Sequence, residues 1–251
     1  KLSSIVFYND LGTLLDRSER IQKLCIQISD LLKIDISKNS NTLLYSNADL
    51  TTELVREYPS LQGLVGGFYA KLSGLSKEIC DAFSSQYELS DQTSNNDLTF
   101  VLSISQKIDS VFGFFASDRK VSGSGDPFGI RRMALSIINL LICKKRNLKL
   151  SIIFNNLIKI YTAQNIKIKF DTLKVIEFLN KRFEILLLEK GYELNIVRGC
   201  LQQKEFDPLF TLENINKLND FLISKEGADF IKSYKRLESI VNERVINVNV
   251  D

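Results

Sequence analysis

Apolar residues recur every three or four positions along most of this chain, and only one short stretch alternates with period two. Over 10–32 they fall at Leu11, Leu14, Leu15, Ile21, Leu24, Cys25, Ile28, Leu31 and Leu32, with Asp16, Arg17, Glu19, Arg20 and Lys23 between them. That spacing places one apolar stripe on a helix of 3.6 residues per turn. Residues 41–57 read as a second helix stopped before Pro59. Residues 61–72 read as a glycine-rich turn or short helix, in which Gly63, Gly66 and Gly67 suggest close backbone packing. Further helices are predicted over 76–87, from Asp97 as cap through Leu98, Val101, Ile108, Val111, Phe112 and Phe115, and from Asp126 and Pro127 to about Cys143. Helices over 151–163, 171–190, 193–203, 209–224 and 226–244 complete the set, with Asp171 as a cap and Gly191 as a stop. Residues 90–96 and 117–125 read as loops, the second basic. Only 246–250 is strand-like, and a frayed end is the preferred reading. The fold class is therefore all-α.

Charge changes this picture. Fourteen of the 33 Lys and Arg residues, against three of the 30 Asp and Glu, lie between Arg119 and Arg182, so that segment carries +11 in a chain of net charge +3. Such segregation is an electrostatic footprint for a polyanion. Its sharpest feature is Arg131 and Arg132, placed in the first turns of a helix, where N–H groups and guanidinium forks both suit phosphate. Arg119 and Lys120 lie on the preceding loop, and Lys144, Lys145 and Arg146, with Lys149, form a second cluster. Blander readings stay open: Arg131 paired with Asp126 beside a solvated Arg132, and a basic helix end that complements the macrodipole.

The chain has no histidine, which excludes His-based acid–base catalysis, His metal ligands and any Ser/His or Cys/His nucleophile from these residues. Carboxylate pairs at Asp10 and Asp16, Asp49 and Glu53, and Asp109 and Asp118 suit caps and ion pairs better than a hard cation. Cys25, Cys80, Cys143 and Cys200 show no CxxC spacing, which fits reduced, mostly buried thiols of a cytosolic protein. The aromatic residues Tyr8, Phe68, Tyr69, Phe112, Phe114, Phe115 and Phe128 are assigned to the core in preference to base stacking. No run reaches about 18 uncharged apolar residues, so no membrane contact is expected. A start at Lys1 without a leader reads as an internal piece of a longer polypeptide.

Three blocks in order carry a resemblance: LGTLLDRSERI at 11–21, ADLTTELVREYPSLQGLVGGFYA at 48–70 and GSGDPFGIRR at 123–132. The chain resembles the β subunit of bacterial heterotetrameric glycyl-tRNA synthetase. The resemblance implies an HD-like helical domain over 1–146, a helical connector over 147–205 and, over 206–251, the truncated start of a DALR-type anticodon-binding domain. HD hydrolases hold a metal with separate histidines, a His-Asp pair and a later aspartate. Here the pair reads Ala48 and Asp49, and Gln106 stands for the later aspartate, so no metal is expected; Asp49 is left as a helix cap or buried acceptor, and Asp109 as a surface or packing acid. For the whole assembly the resemblance implies joining of glycine to tRNA(Gly) using ATP, with adenylate chemistry on the α subunit. This chain would position tRNA in the cytoplasm, with tRNA(Gly) and the α subunit as partners and no catalytic residue or cofactor of its own. Arg131 and Arg132 match the family's DPFALRR-like motif and Arg17 and Arg20 its LGTL helix, all four for RNA or salt-bridge duty. Gly129 replaces a common alanine and is expected to loosen the helix start, since glycine costs about 1 kcal/mol in a helix interior. The rival readings are a metal phosphohydrolase, disfavoured by the missing histidines, and a helical protein-interaction module with a solvated basic face.

Overall fold

A computed structural model describes residues 1–7, 10–89, 96–117, 126, 128–201 and 205–248, with side chains described as far as Val241. Among these residues the chain is all-α; a lone antiparallel bridge joins Val6 to Thr13. The α-helices are α1 (Leu14–Leu32), α2 (Glu53–Glu57), α3 (Leu64–Leu72), α4 (Lys77–Ser85), α5 (Asp97–Ala116) and α6 (Ile130–Cys143). They continue as α7 (Leu150–Ala163), α8 (Leu173–Glu189), α9 (Leu194–Cys200), α10 (Pro208–Ile223) and α11 (Lys225–Val248).

The first helix begins at Leu14, four residues later than the apolar spacing suggests, because Thr13 and Asp16 form a capping box. Thr13 Oγ1 accepts from the Asp16 N–H at 3.2 Å, and Asp16 Oδ2 accepts from the Thr13 N–H at 2.7 Å. Its stripe of Ile21, Leu24, Cys25 and Ile28 packs against α5, the centre of the fold. Among the described residues α5 alone is long and apolar enough to cross a membrane by length and composition, yet 94% of that stretch is buried inside the protein. Its neighbours are α1, α4, α6 and α8. Asn96 caps it in place of the predicted Asp97, its side chain accepting from the Leu98 N–H at 2.8 Å.

The predicted helix over 41–57 is instead two 3-10 turns, Thr42–Tyr45 and Ala48–Thr51, followed by the short α2. Polar side chains in this stretch make tertiary and local bonds that compete with a continuous helical ladder. Asn47 reaches Ser18 in α1, Thr52 Oγ1 donates to the Asp49 carbonyl at 2.6 Å, and the same hydroxyl caps α2 through the Val55 N–H. The glycine pattern does mark close packing. A Cβ on Gly67 would collide with Ser84 Oγ and come within 2.6 Å of the Cys80 carbonyl oxygen, so α3 and α4 meet nearly backbone to backbone.

Beyond α6 the chain folds back over the same body. α7 packs on α1, where Asn156 Nδ2 donates to Gln27 Oε1 at 3.0 Å, and α8 packs on α6. Phe112 is the pivot of an aromatic cluster with Phe154, Tyr161 and Phe170, at centroid distances of 5.2 to 5.5 Å. One buried apolar cluster runs from Leu11 to Ile215. α10 packs on α6, α9 and α11. The strand-like 246–248 are the last turn of α11, and 249–250 lie outside the described residues. Of the four free cysteines only Cys25 is buried, and burial pushes its thiol up to about 12; Cys143 is exposed, against the expectation of mostly buried thiols.

Candidate nucleic-acid interface

Among the described residues the basic segment is carried by α6, α7, α8 and the connections between them. Helix α6 starts at Ile130, with Gly129 as its first boundary residue in the left-handed conformation at φ 67°. Asp126 therefore acts from further back than a normal N-cap. Its Oδ1 accepts from the Arg131 N–H at 3.2 Å and its Oδ2 from the Arg132 N–H at 3.3 Å. This corrects the expectation of free N–H groups for phosphate, since Asp126 already takes two of them. The guanidinium groups are what this helix start offers to an anion. Arg132 lies with Nε 3.6 Å from Asp126 Oδ2 and its side chain is 65% exposed; Arg131 is half-buried. The blander sequence reading left Arg132 solvated, whereas its guanidinium lies near Asp126.

The second cluster sits at the other end of α6. At 1.5 Å per residue, fourteen residues separate the two by about 20 Å. Lys144 is the C-cap, Lys145 turns the chain at φ 48°, and Arg146 lies 3.7 Å from Asp97 at the start of α5. Lys145, Lys149, Lys159, Lys167, Lys169 and Lys174 are exposed. Lys181 is drawn to Glu184 at 2.9 Å, which Arg198 also meets at 3.0 Å. Arg119 and Lys120 lie outside the described residues, as do Tyr8, Asp118 and Pro127.

Arg17 and Arg20 are not on this surface. They point from α1 into a buried polar centre. Arg20 is fully buried and donates from Nε to Asp109 Oδ1 at 2.9 Å; Arg17 donates from Nη2 to Gln106 Oε1 at 3.0 Å and Ser110 Oγ at 2.8 Å. A polyanion cannot reach a side chain with no exposed surface, so Arg20 serves the ion-pair alternative, and Arg17, with Nε 3.5 Å from Asp109 Oδ2, joins it. Asp109 is accordingly a packing acid and not a surface one. Gln106 completes the network, donating from Nε2 to Asn47 Oδ1 at 2.8 Å and Gln86 Oε1 at 2.7 Å, while Tyr87 OH donates to the same Asn47 oxygen at 2.6 Å.

Asp49 is buried beside this network. Its Oδ2 accepts from the Gly63 N–H at 2.7 Å, so a distant carboxylate supplies the N-terminal cap that Gly63 cannot give α3. It also lines a cavity of about 940 Å³ whose other walls, among them Leu44, Tyr45, Ala48, Tyr69 and Phe83, are mainly apolar. These residues do not fit a hydrolytic metal. Gln106 is a neutral amide with both ends engaged, a guanidinium cation is bonded to it, and Asp49 is committed to α3. Among the described residues no three His, Cys, Asp or Glu side chains converge.

Several functional-looking residues carry no signal in the sequence. Asn47, Gln86, Lys107 and Tyr161 are buried polar groups that only long-range packing brings together, and Arg182 is one basic residue among fourteen until α8 folds onto α6. Phe68 and Tyr69, assigned to the core by spacing, are exposed instead.

A family model described as glycyl-tRNA synthetase beta subunit matches residues 1–202. The glycine–tRNA ligase beta subunit of Buchnera aphidicola subsp. Schizaphis graminum (strain Sg) is 33% identical over 256 residues, covering 99% of this chain and 36% of that relative. That of Rickettsia canadensis (strain McKiel) is 31% identical over 258 residues, covering 100% and 37%, and that of Ruegeria sp. (strain TM1040) is 29% identical over 246 residues, covering 96% and 34%. The chain thus spans little more than a third of the length of these curated relatives.

Proposed function

The chain belongs to the glycyl-tRNA synthetase β-subunit family, and on that premise we propose that it is the tRNA-positioning part of a glycine–tRNA ligase β subunit. In this reading the whole enzyme joins glycine to tRNA(Gly) using ATP in the cytoplasm, and the α subunit carries the adenylate chemistry. This chain holds RNA and has no catalytic centre or cofactor of its own. An HD-like unit over 1–146, a connector over 147–205 and the start of an anticodon-binding unit over 206–251 are the divisions it assigns.

The observation that carries the reading is the segregation of charge: +11 between Arg119 and Arg182, presented at both ends of α6 and on exposed lysines of α7 and α8. Phosphate neutralisation by such groups releases counterions, so affinity falls steeply with salt. Among the described residues this reading assigns the contacts to Arg131, Arg132, Lys144, Lys145 and Arg146, and Arg119 and Lys120 join them on sequence alone. The test is binding of tRNA(Gly) across a salt series, for the chain and for the pairs Arg131→Ala with Arg132→Ala and Lys144→Ala with Lys145→Ala. The expected result is a linear fall of log affinity with log salt, shallower by about 1 to 2 in each double variant. Binding that ignores salt would overturn the reading.

One observation favours a second reading, protein contact. Leu64, Phe68 and Leu72, spaced by four on α3, are each more than half exposed, with Tyr69 beside them. An apolar stripe of this kind marks an interaction face. In this reading it meets the α subunit, and Leu64→Asp with Phe68→Asp abolishes α-subunit binding while leaving tRNA affinity unchanged.

A further inference from the structure

Two ring contacts at the C-terminal end of α5 bring separate basic groups to one place. Phe114 packs on Phe128, three residues before Arg131, with centroids 5.9 Å apart. Its neighbour Phe115 packs on Phe178 of α8 at 5.5 Å, and the Arg182 guanidinium lies over that same Phe178 ring at 5.6 Å. The start of α6 and the middle of α8 therefore share an anchor, and α6 packs along α8. Arg131 and Arg132 stand at the start of α6, with the Arg132 guanidinium near Asp126, and Arg182 stands on the α8 face anchored by Phe178, so the three belong to the two elements that meet here.

Like charges from different helices repel, and they are tolerated where an anion sits among them. The electrostatics of Arg182 report this proximity: burial lowers its pKa first, the positive charge of Arg131 lowers it further, and Asp126 opposes both. Its Nε is buried without a hydrogen-bond partner. The Asp126 carboxylate, meanwhile, collects the Arg131 and Arg132 N–H groups and approaches the Arg132 guanidinium, the donor set that a phosphate would use.

We infer that Arg131, Arg132 and Arg182 form one phosphate-binding site at the junction of α6 and α8, and that Asp126 is its built-in competitor, holding the donors that phosphate oxygens take when bound. The chemistry recognised is a phosphate anion. Its assignment to a backbone phosphodiester rests on the tRNA reading above, and a free phosphate is the other source of the same chemistry. Arg182 is the third arm, contributed from fifty residues away, and Asp126 sets the affinity by repulsion and by competition.

The experiment compares the chain with Arg182→Ala, Arg182→Lys and Asp126→Asn, each first shown by circular dichroism to melt as a folded protein. Asparagine keeps one carbonyl oxygen and so can accept from one of the two α6 N–H groups, which makes Asp126→Asn remove the charge while retaining part of the cap. One arm measures tRNA(Gly) affinity against salt, and the other measures thermal protection by inorganic phosphate and pyrophosphate. The expected results in the RNA arm are a loss of about tenfold and a salt slope smaller by about 1 for Arg182→Ala. Arg182→Lys gives partial recovery, since lysine keeps the charge but not the fork. Asp126→Asn gives a gain of at least about threefold, because a like charge has been taken from the anion's path. Salt-dependent tRNA binding that ignores both Arg182 and Asp126 overturns the site and leaves the tRNA reading standing. Absent tRNA binding with phosphate protection that is lost in Arg182→Ala and strengthened in Asp126→Asn overturns the tRNA reading and keeps the site for free phosphate. No response to any phosphate probe overturns both.

Discussion

Arg20 of α1 and Asp109 of α5 form an ion pair at 2.9 Å in which neither side chain has any exposed surface. The same guanidinium donates to the Leu11 carbonyl at 3.2 Å and to Gln164 Oε1 at 2.8 Å, and lies 4.5 Å from the centre of the Tyr161 ring. Tyr161 OH in turn donates to Asp109 Oδ1 at 3.0 Å. One buried cation thus ties the N-terminal segment, α1, α5 and the end of α7. Burial by itself would lower the pKa of Arg20, but Asp109 and Tyr161 outweigh it and the net shift is upward, so the group stays charged. Removing either partner strands a buried charge, and Arg20→Met or Asp109→Leu alone should cost about 3–5 kcal/mol in urea unfolding. The double variant should cost clearly less than the sum; simple additivity would show that the two side chains are not coupled.

Asp49 should behave as a cap and not as a metal ligand. Asp49→Ala removes the acceptor of the Gly63 N–H and should lower stability by about 1–2 kcal/mol. Burial raises the Asp49 pKa against the opposing bonds from Gly63 and Leu50. A carboxyl whose folded pKa is raised holds its proton more tightly when folded, so its contribution improves as pH falls from the folded pKa toward 3.8. Asp49→Asn, which keeps an acceptor and carries no charge, should therefore match or exceed the native chain at pH 7 and flatten the acid side of the profile. Added divalent cation should change neither melting curve.

Lys107 titrates in an accessible range. Its ammonium is buried in α5 and donates to Ser103 Oγ at 2.6 Å and to the Gln86 carbonyl at 3.2 Å, and burial lowers its pKa from 10.5 to about 8, with Glu88 opposing. The folded state then releases this proton before the unfolded state does. The resulting penalty is present in full below pH about 8 and is relieved as pH rises toward 10.5. At 1.36 kcal/mol per pH unit the relief is about 3 kcal/mol at most. Stability of the native chain relative to Lys107→Met should rise between pH 8 and 10; a flat difference would mean that the amine keeps its ordinary affinity for protons.

Gly129 is a boundary residue and not part of a helix interior, which reverses the expectation that it loosens α6. At φ 67° an L side chain is strained, and a Cβ there would lie 3.3 Å from Arg132 Nη2. Gly129→Ala should destabilise by about 1 kcal/mol and displace Arg132. A higher melting temperature for the alanine variant would contradict this.

Several features are legible in the sequence because they depend on neighbours three or four residues apart. The stripe of α1, the stop at Gly191 and the location of the basic segment all follow from such local spacing. Where a polar side chain has two possible partners, local reading fails. Asn47 helps break the predicted helix over 41–57 because Ser18, Gln106 and Tyr87, all distant in sequence, complete its bonding. Asn96 takes the cap from Asp97, and Asp126 caps α6 from five and six residues away.

The sequence by itself determined that this chain is helical, that its positive charge is concentrated in one segment, and that histidine chemistry is absent, since each depends on composition or on periodicity. Which arginines face solvent was decided only by tertiary structure. Arg17 and Arg20 share the amphipathic spacing of surface residues, yet Asp109 and Gln106, about ninety positions away, draw them inside. Arg182 joins Arg131 and Arg132 only because α8 packs on α6. A charged side chain goes where its counter-charge and hydrogen-bond partners are, and in a folded helical bundle those partners come from other helices.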